Sequence, residues 1–259
     1  MKKYVFILII CLSFLSLGTK VKAEDPLTPD QRAWLNNHGT LQVGAFDYYP
    51  PFGFLDKFGE PQGMSIDFWR LLSSKLQFWM QFTPTMFSQQ LEGLKTGKYD
   101  SLAGIFDLNE RRQWFDFSKP YTVIRTHIYV KPKYANLKTL EDLKDLNVSA
   151  VLGDSGYAIC EKRGLNPKAY SNYREAVFDV AYGSADAIVM DELVVAYFIK
   201  EQNLKGKIIK TGQPVDEGKM CLPVIKGNTT LLDILNTGID MVSKEDWRRI
   251  EESWLGKQD

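Results

Sequence analysis

Hydrophobic positions along the chain fall into two rhythms that take turns. Residues 41–46 form a short apolar run of strand character, and residues 63–76 place Ile66, Trp69, Leu72 and Leu76 near one face at helical spacing. Residues 82–86 read as a strand, 88–96 as a short helix opened by a capping Ser88, and 101–105 as another strand. The second half keeps the alternation: helix 139–145, strand 148–152, a helix opening at Ser155 after Gly153-Asp154, helix 173–182, strand 187–190 and helix 192–202. The run 220–225 and two final helices close the chain. This order predicts an α/β protein with parallel sheets and helices on both faces. Ligands of such sheets bind where the carboxyl ends of the strands meet the loops into the next helices.

Two extended runs, 127–132 and 207–214, read as crossings between lobes. With both crossing, residues 24–128 and 211–259 make a discontinuous first lobe and residues 129–210 an inserted second lobe. A hinge of two strands permits rigid-body closure around a ligand. No repeat or low-complexity tract argues for a solenoid or a linker array.

The amino terminus has a different character. Lys2 and Lys3 precede an apolar run over residues 5–17, and Val21-Lys22-Ala23 offers a cleavage point, so residues 1–23 are expected to be a signal peptide removed near Ala23. The run is shorter than the ~20 residues that span a bilayer, and no comparable run follows it; the mature chain is expected to carry no anchor of its own. Ile9 and Ile10 are too bulky before Cys11 for a lipoprotein site. Export leaves Cys160 and Cys221 where disulfides are permitted, and spacing alone does not say whether they pair.

Basic and acidic residues number 32 each, but the leader holds four lysines and no acid, leaving 28 basic against 32 acidic in the mature part. A mildly acidic surface argues against nucleic acid as a partner and against a membrane-hugging basic face. With His38 and His127 as its only histidines and no Cys/His cluster, the chain offers no metal site. Neither a Gly-x-Ser-x-Gly elbow nor a phosphate-cradling glycine loop is present, so no catalytic residue and no cofactor is expected.

The remaining candidates are binding residues. Arg111 and its neighbour Arg112 follow the strand ending at residue 105; an arginine there either lies solvated or turns its planar fork into a cleft to take a carboxylate. Ser155 stands at a strand-to-helix junction, either as a cap or as part of an anion site. Asp191 ends an apolar strand and serves either as the next helix's cap or as a partner for an ammonium group. Tyr48-Tyr49-Pro50-Pro51-Phe52 presents rings that either wall a pocket or pack a core.

Taken in order, several segments resemble the periplasmic solute-binding proteins of polar amino-acid ABC transporters, the family of the histidine- and glutamine-binding proteins. They are Val43-Gly44 leading to Tyr49-Pro50-Pro51-Phe52, Gly59 with Gly63, Gly97-Lys98-Tyr99-Asp100, Glu110-Arg111 with Phe117-Ser118-Lys119-Pro120-Tyr121, Asp186-Ala187 with Asp191, and Trp254-Leu255-Gly256. The resemblance implies a two-lobed periplasmic-binding-protein (Venus-flytrap) fold with two crossover hinge strands. It also implies a monomer in the periplasm that captures an amino acid or related carboxylate and delivers it to a membrane permease. By the same resemblance Arg111 grips the ligand's α-carboxylate, Ser155 assists from the second lobe, Asp191 takes the α-ammonium, and Tyr49 and Phe87 wall the pocket.

The chain also departs from the family pattern. Beyond Ala103-Gly104, where the family usually places a hydroxyl residue against the ligand, it has Phe106; Leu108 replaces a threonine, and Phe46 stands where the histidine binder has an acid. The implied pocket is more aromatic and suits a large, partly apolar ligand better than a basic one. Residues 27–35 resemble the lead-in of periplasmic sensor domains, so a receptor is a second candidate partner. The fold is also shared by periplasmic cyclohexadienyl dehydratases, for which Glu161 or Glu192 would be the candidate acid.

Overall fold

The structure is a computed structural model that describes residues 24–257. The expected leader, residues 1–23, with Cys11 inside it, lies outside the described residues. Among the described residues no helix is long and apolar enough to cross a membrane.

Helix α1 (Pro29–His38) starts on a capping box between Thr28 and Gln31 with proline in its first turn. The chain continues through β1 (Thr40–Phe46), a three-stranded antiparallel flap of β2 (Tyr48–Tyr49), β3 (Gly53–Leu55) and β4 (Pro61–Gln62), and α2 (Met64–Leu76). Then come β5 (Trp79–Thr85), α3 (Phe87–Lys95), β6 (Ser101–Leu102) and β7 (Ile105–Phe106). Strand β1 is central in a parallel sheet of order β5-β1-β6. Helix α2 buries Ile66, Phe68, Trp69, Leu72 and Leu76 in the same cluster as Leu41 and Val43 of β1.

After β8 (Phe115–Phe117), the long strand β9 (Thr122–Val130) leads to β10 (Val148–Val151), α4 (Ser155–Lys162), β11 (Lys168–Tyr170), α5 (Tyr173–Tyr182), β12 (Ala187–Asp191) and α6 (Glu192–Glu201). Strand β13 (Ile209–Cys221) returns, followed by β14 (Pro223–Ile225), α7 (Thr229–Asp240) and α8 (Lys244–Leu255). The second sheet runs β11-β10-β12-β9-β13-β7. Strands β9 and β13 pair antiparallel from Ile209 opposite Val130 to Met220 opposite Thr122, with an irregularity between Thr211 and Asp216. They are the two crossover strands, carrying the sheet from the parallel β10–β12 layer to β7. One apolar cluster runs from Tyr49, Phe52 and Met64 of the flap and α2 region to Val194, Val195 and Phe198 of α6.

Several local readings change. The helix expected over 139–145 is a single 3-10 turn, Glu141–Leu143, because the Asp142 carboxylate accepts the backbone N–H of Lys138 (2.8 Å) and of Thr139 (2.9 Å) and closes a turn instead. The strand expected over 101–105 splits into β6 and β7 at Gly104, whose φ of 157° accompanies a close approach of the Tyr121 hydroxyl. Helix α3 begins at Phe87, and its cap position is Met86 rather than Ser88. The flap β2–β4 went unread because its strands are two or three residues long, too short for a period to register. Cys160 in α4 and Cys221 at the end of β13 are both buried free thiols, which burial pushes up to about 12.

Gly156 sets how closely α4 approaches β12. A β-carbon there would strike the backbone carbonyl of Val189, which has no soft side chain to yield. Gly156→Ala is therefore expected to lower stability by about 1–3 kcal/mol, read as a lower urea midpoint, even though alanine is the better helix former. An unchanged midpoint would mean that α4 is free to shift.

Candidate functional site

Asp191 occupies the cap position of α6, yet its side chain makes no capping hydrogen bond. The carboxylate, in a residue only 1% exposed, turns the other way. Its Oδ1 accepts from the Thr126 hydroxyl at 2.7 Å and from Ser155 at 3.4 Å, and its Oδ2 accepts from the Tyr49 hydroxyl at 2.7 Å. Tyr49 belongs to the flap, so that last bond joins the flap to the end of β12. Burial pushes the Asp191 pKa up, against the pull of the three hydroxyls.

Ser155 is the first helical residue of α4, and Asp154 is the cap. The Asp154 carboxylate is buried at Oδ2 with no hydrogen-bond partner, while Oδ1 is approached by the Tyr173 hydroxyl at 3.4 Å. Burial and the charge of Asp191 push Asp154 up to about 7, against backbone N–H groups of Ser155 and Gly156 that favour its charged form. Tyr173 packs on Tyr49 with ring centroids 5.6 Å apart and on Tyr48 at 6.4 Å.

Arg111 ends a 3-10 turn, Asn109–Arg111. Its guanidinium is half-buried, donates to the Phe106 carbonyl at 2.8 Å and lies over the Phe87 ring at 5.2 Å. Among the described residues no carboxylate pairs with it, and burial lowers its pKa. Arg112 is exposed, with its Nε donating to Asp107 at 2.8 Å. Rings join the two charged ends: Phe87 stacks on Phe46 at 6.1 Å, and Phe46 meets Tyr49 edge-on at 5.0 Å.

The structure thus brings Tyr49, Ser155 and Asp191 into one hydrogen-bonded group and joins Arg111 and Phe87 to it through Phe46. Phe106 supplies the carbonyl that orients Arg111, and its ring lies where a β-carbon on Gly218 would come within 2.6 Å. Gly104 packs against Tyr121, whose hydroxyl also meets Ser65 at 2.9 Å. Glu192 is held among His127 (3.6 Å), Lys210 (3.4 Å) and Arg125 (3.7 Å), and Glu161 is exposed on α4. Among the described residues no group of three or more His, Cys, Asp or Glu is placed to hold a metal ion. Sequence reasoning missed Asp154, Tyr173 and Thr126. Asp154 left the clearest signal, as an acid in the cap position before Ser-Gly at the carboxyl end of a strand.

The Asp154 shift has a consequence for stability. An acid whose pKa is higher folded than unfolded binds its proton more tightly in the native state, so stability is lost as pH rises from about 4, the unfolded value, to about 7. Asp154→Asn removes this dependence while keeping a cap oxygen. At pH 8 the variant is expected to be more stable than the native protein by up to a few kcal/mol, and near pH 4 the two are expected to melt alike in calorimetry. Equal melting temperatures at both pH values would show that Asp154 is solvated.

The model of the bacterial extracellular solute-binding proteins, family 3, matches residues 41–257. The L-cystine-binding protein TcyJ of Escherichia coli is 27% identical over 227 residues, which cover 86% of this chain and 85% of that protein. A solved structure described as an ancestral cationic amino acid solute-binding protein superposes with a TM-score of 0.76 at 29% identity, over 87% of this chain and 99% of that one. The VFT2 domain of the Bordetella pertussis BvgS sensor superposes with a TM-score of 0.74 at 20% identity, over 88% and 98% of the two chains, a likeness of fold.

Proposed function

The chain belongs to the bacterial extracellular solute-binding proteins, family 3, and on that footing we propose that it captures an amino acid or a related small carboxylate between its lobes and delivers it to the permease of an ABC transporter. The observation that carries this reading is a pair of opposite charges left without charged partners: Arg111 on the first lobe and Asp191 on the second, joined by a run of aromatic rings. A planar guanidinium holds both oxygens of a carboxylate, and a buried carboxylate with spare lone pairs takes an ammonium group. A zwitterion touching both lobes favours the closed arrangement, in which the Tyr49–Asp191 bond already joins them. Residues 24–128 with 211–259, and residues 129–210, are the bodies that move about β9 and β13. Tyr49, Phe87, Gly104, Phe106, Arg111, Ser155 and Asp191 form the ligand site or its immediate support.

The relatives are named as binding proteins, and Glu192, held by three basic side chains, is poorly placed to act as a free catalytic acid. The likeness of fold to a sensor domain supports a second destination, a membrane receptor that reads the loaded protein. Uptake of the ligand by cells lacking the chain separates the two: loss of uptake indicates a permease, and unchanged uptake indicates a receptor.

A thermal-denaturation screen of the purified protein against the amino acids and small carboxylates tests the reading. A true ligand at about 100 times its Kd adds roughly 2.7 kcal/mol and raises the melting temperature measurably. A screen in which no amino acid or carboxylate shifts the transition would contradict the proposal.

A further inference from the structure

The grip on a zwitterion uses one acid, and the site holds two. Asp154 Oδ2 is buried without a hydrogen-bond partner. The groups that face Asp154 are Asp191 on β12 and Tyr173 on α5, with Tyr49 of the flap packed on Tyr173; Asp216 on β13 adds further negative charge toward Asp191. None of these is a base. The basic groups on neighbouring elements are engaged elsewhere: Arg125 of β9 and Lys210 of β13 lie against Glu192, as does the His127 imidazole, whose pKa burial lowers, and exposed Arg174 of α5 lies over the Phe178 ring at 5.0 Å. Among the described residues, neither Asp154 nor Asp191 has an ion-pair partner.

Ser155, the residue after Asp154, reaches Asp191 Oδ1 at 3.4 Å, so the two acids are neighbours without a cation; the charge of one opposes ionisation of the other, and Asp154, pushed up to about 7, is still partly protonated at neutral pH. A positive group placed against both removes the repulsion and releases that proton to solvent. Counting Arg111, Asp154 and Asp191, the ionised site carries one net negative charge, so a zwitterion leaves it uncompensated and a ligand with one net positive charge neutralises it. The Tyr49 and Tyr173 hydroxyls reach the two acids, at 2.7 Å from Asp191 and 3.4 Å from Asp154, and their rings pack together with centroids 5.6 Å apart.

We propose that Asp154 is a second cation-accepting residue of this site, and that the ligand is a cationic amino acid whose carboxylate rests on Arg111 and whose positive nitrogens are shared by Asp191 and Asp154. The proposal rests on the reading of Arg111 and Asp191 given above. It changes the preference expected from the aromatic lining alone.

Calorimetric titration with arginine against its neutral isostere citrulline, and with lysine against norleucine, tests it. At pH 8 the native protein is expected to prefer the cationic member of at least one pair by roughly ten-fold or more, and Asp154→Asn to reduce that preference to within about three-fold. At pH 7, titrations in two buffers of different ionisation heat are expected to show proton release on binding by the native protein and none by the variant. Because the isostere comparison is made on the native protein, it stands even where the variant folds poorly. Equal affinity for citrulline and arginine and for norleucine and lysine, or tighter binding of a neutral aromatic amino acid, would overturn the role of Asp154 and leave the amino-acid reading intact. Failure of every amino acid to bind would overturn both.

Discussion

Arg111→Lys is expected to bind the ligand roughly ten- to a hundred-fold more weakly than the native protein, while Arg112→Lys binds almost normally. Both changes keep the charge, so the contrast isolates geometry. Arg111 is half-buried, its Nη1 is tied to the Phe106 carbonyl, and its plane lies over Phe87. That fixes the guanidinium before any ligand arrives and leaves its remaining donors for a carboxylate. A lysine offers a point charge on a flexible stem, makes no planar contact with Phe87 and cannot hold two oxygens in one plane. Arg112 already has its acid in Asp107, and the change there alters only an exposed pair of small energetic weight. Calorimetry on both variants with one ligand checks this. Equal affinities, or a greater loss at Arg112, would withdraw the carboxylate site.

Asp191→Ala is expected to weaken binding by about 2–5 kcal/mol, because the ligand's ammonium would then be buried without a charged partner. Asp191→Asn keeps an acceptor for Thr126 and a group of the same size, so it is expected to lose most of that affinity with little change in melting temperature. The capping alternative makes the opposite prediction, a loss of about 1 kcal/mol of stability with affinity retained. The absence of a capping bond and the three hydroxyls aimed at the carboxylate favour the first outcome. Scanning calorimetry paired with titration separates the two.

How much of this was legible in the sequence depended on whether a signal was periodic or positional. Helix α2 and strand β1 were readable because one face of each is buried continuously, and burial imposes the period. The end of β12 was readable because four buried apolar residues run directly into Asp191. The 3-10 turn at Glu141–Leu143 was misread as a helix because local apolar spacing is the same for both; the Asp142 carboxylate decides between them by bonding the backbone. The two charged ends of the proposed site, Arg111 and Asp191, sit where a turn or a strand ends, which is the positional signal that singled them out. Nothing in the linear pattern shows that Tyr49 reaches across 142 positions to Asp191 or that the buried Asp154 feels the charge of Asp191. Those contacts join the β2 end of the flap, the end of β12 and the start of α4, which only the tertiary fold brings together. Asp154, in Gly153-Asp154-Ser155-Gly156, has the composition of an ordinary turn residue, and its burial is set by the fold around it.

The most direct test of the central claim is a crystal structure of the protein with the amino acid or carboxylate that most raises its melting temperature. The ligand's carboxylate oxygens are expected on Arg111 and its nitrogen within hydrogen-bond distance of Asp191, enclosed by Tyr49, Phe46 and Phe87. A ligand seated instead in the cavity of about 660 Å³ lined by Lys138, Glu141, Arg163 and residues 212–215, with Arg111 still bonded only to the Phe106 carbonyl, would contradict it.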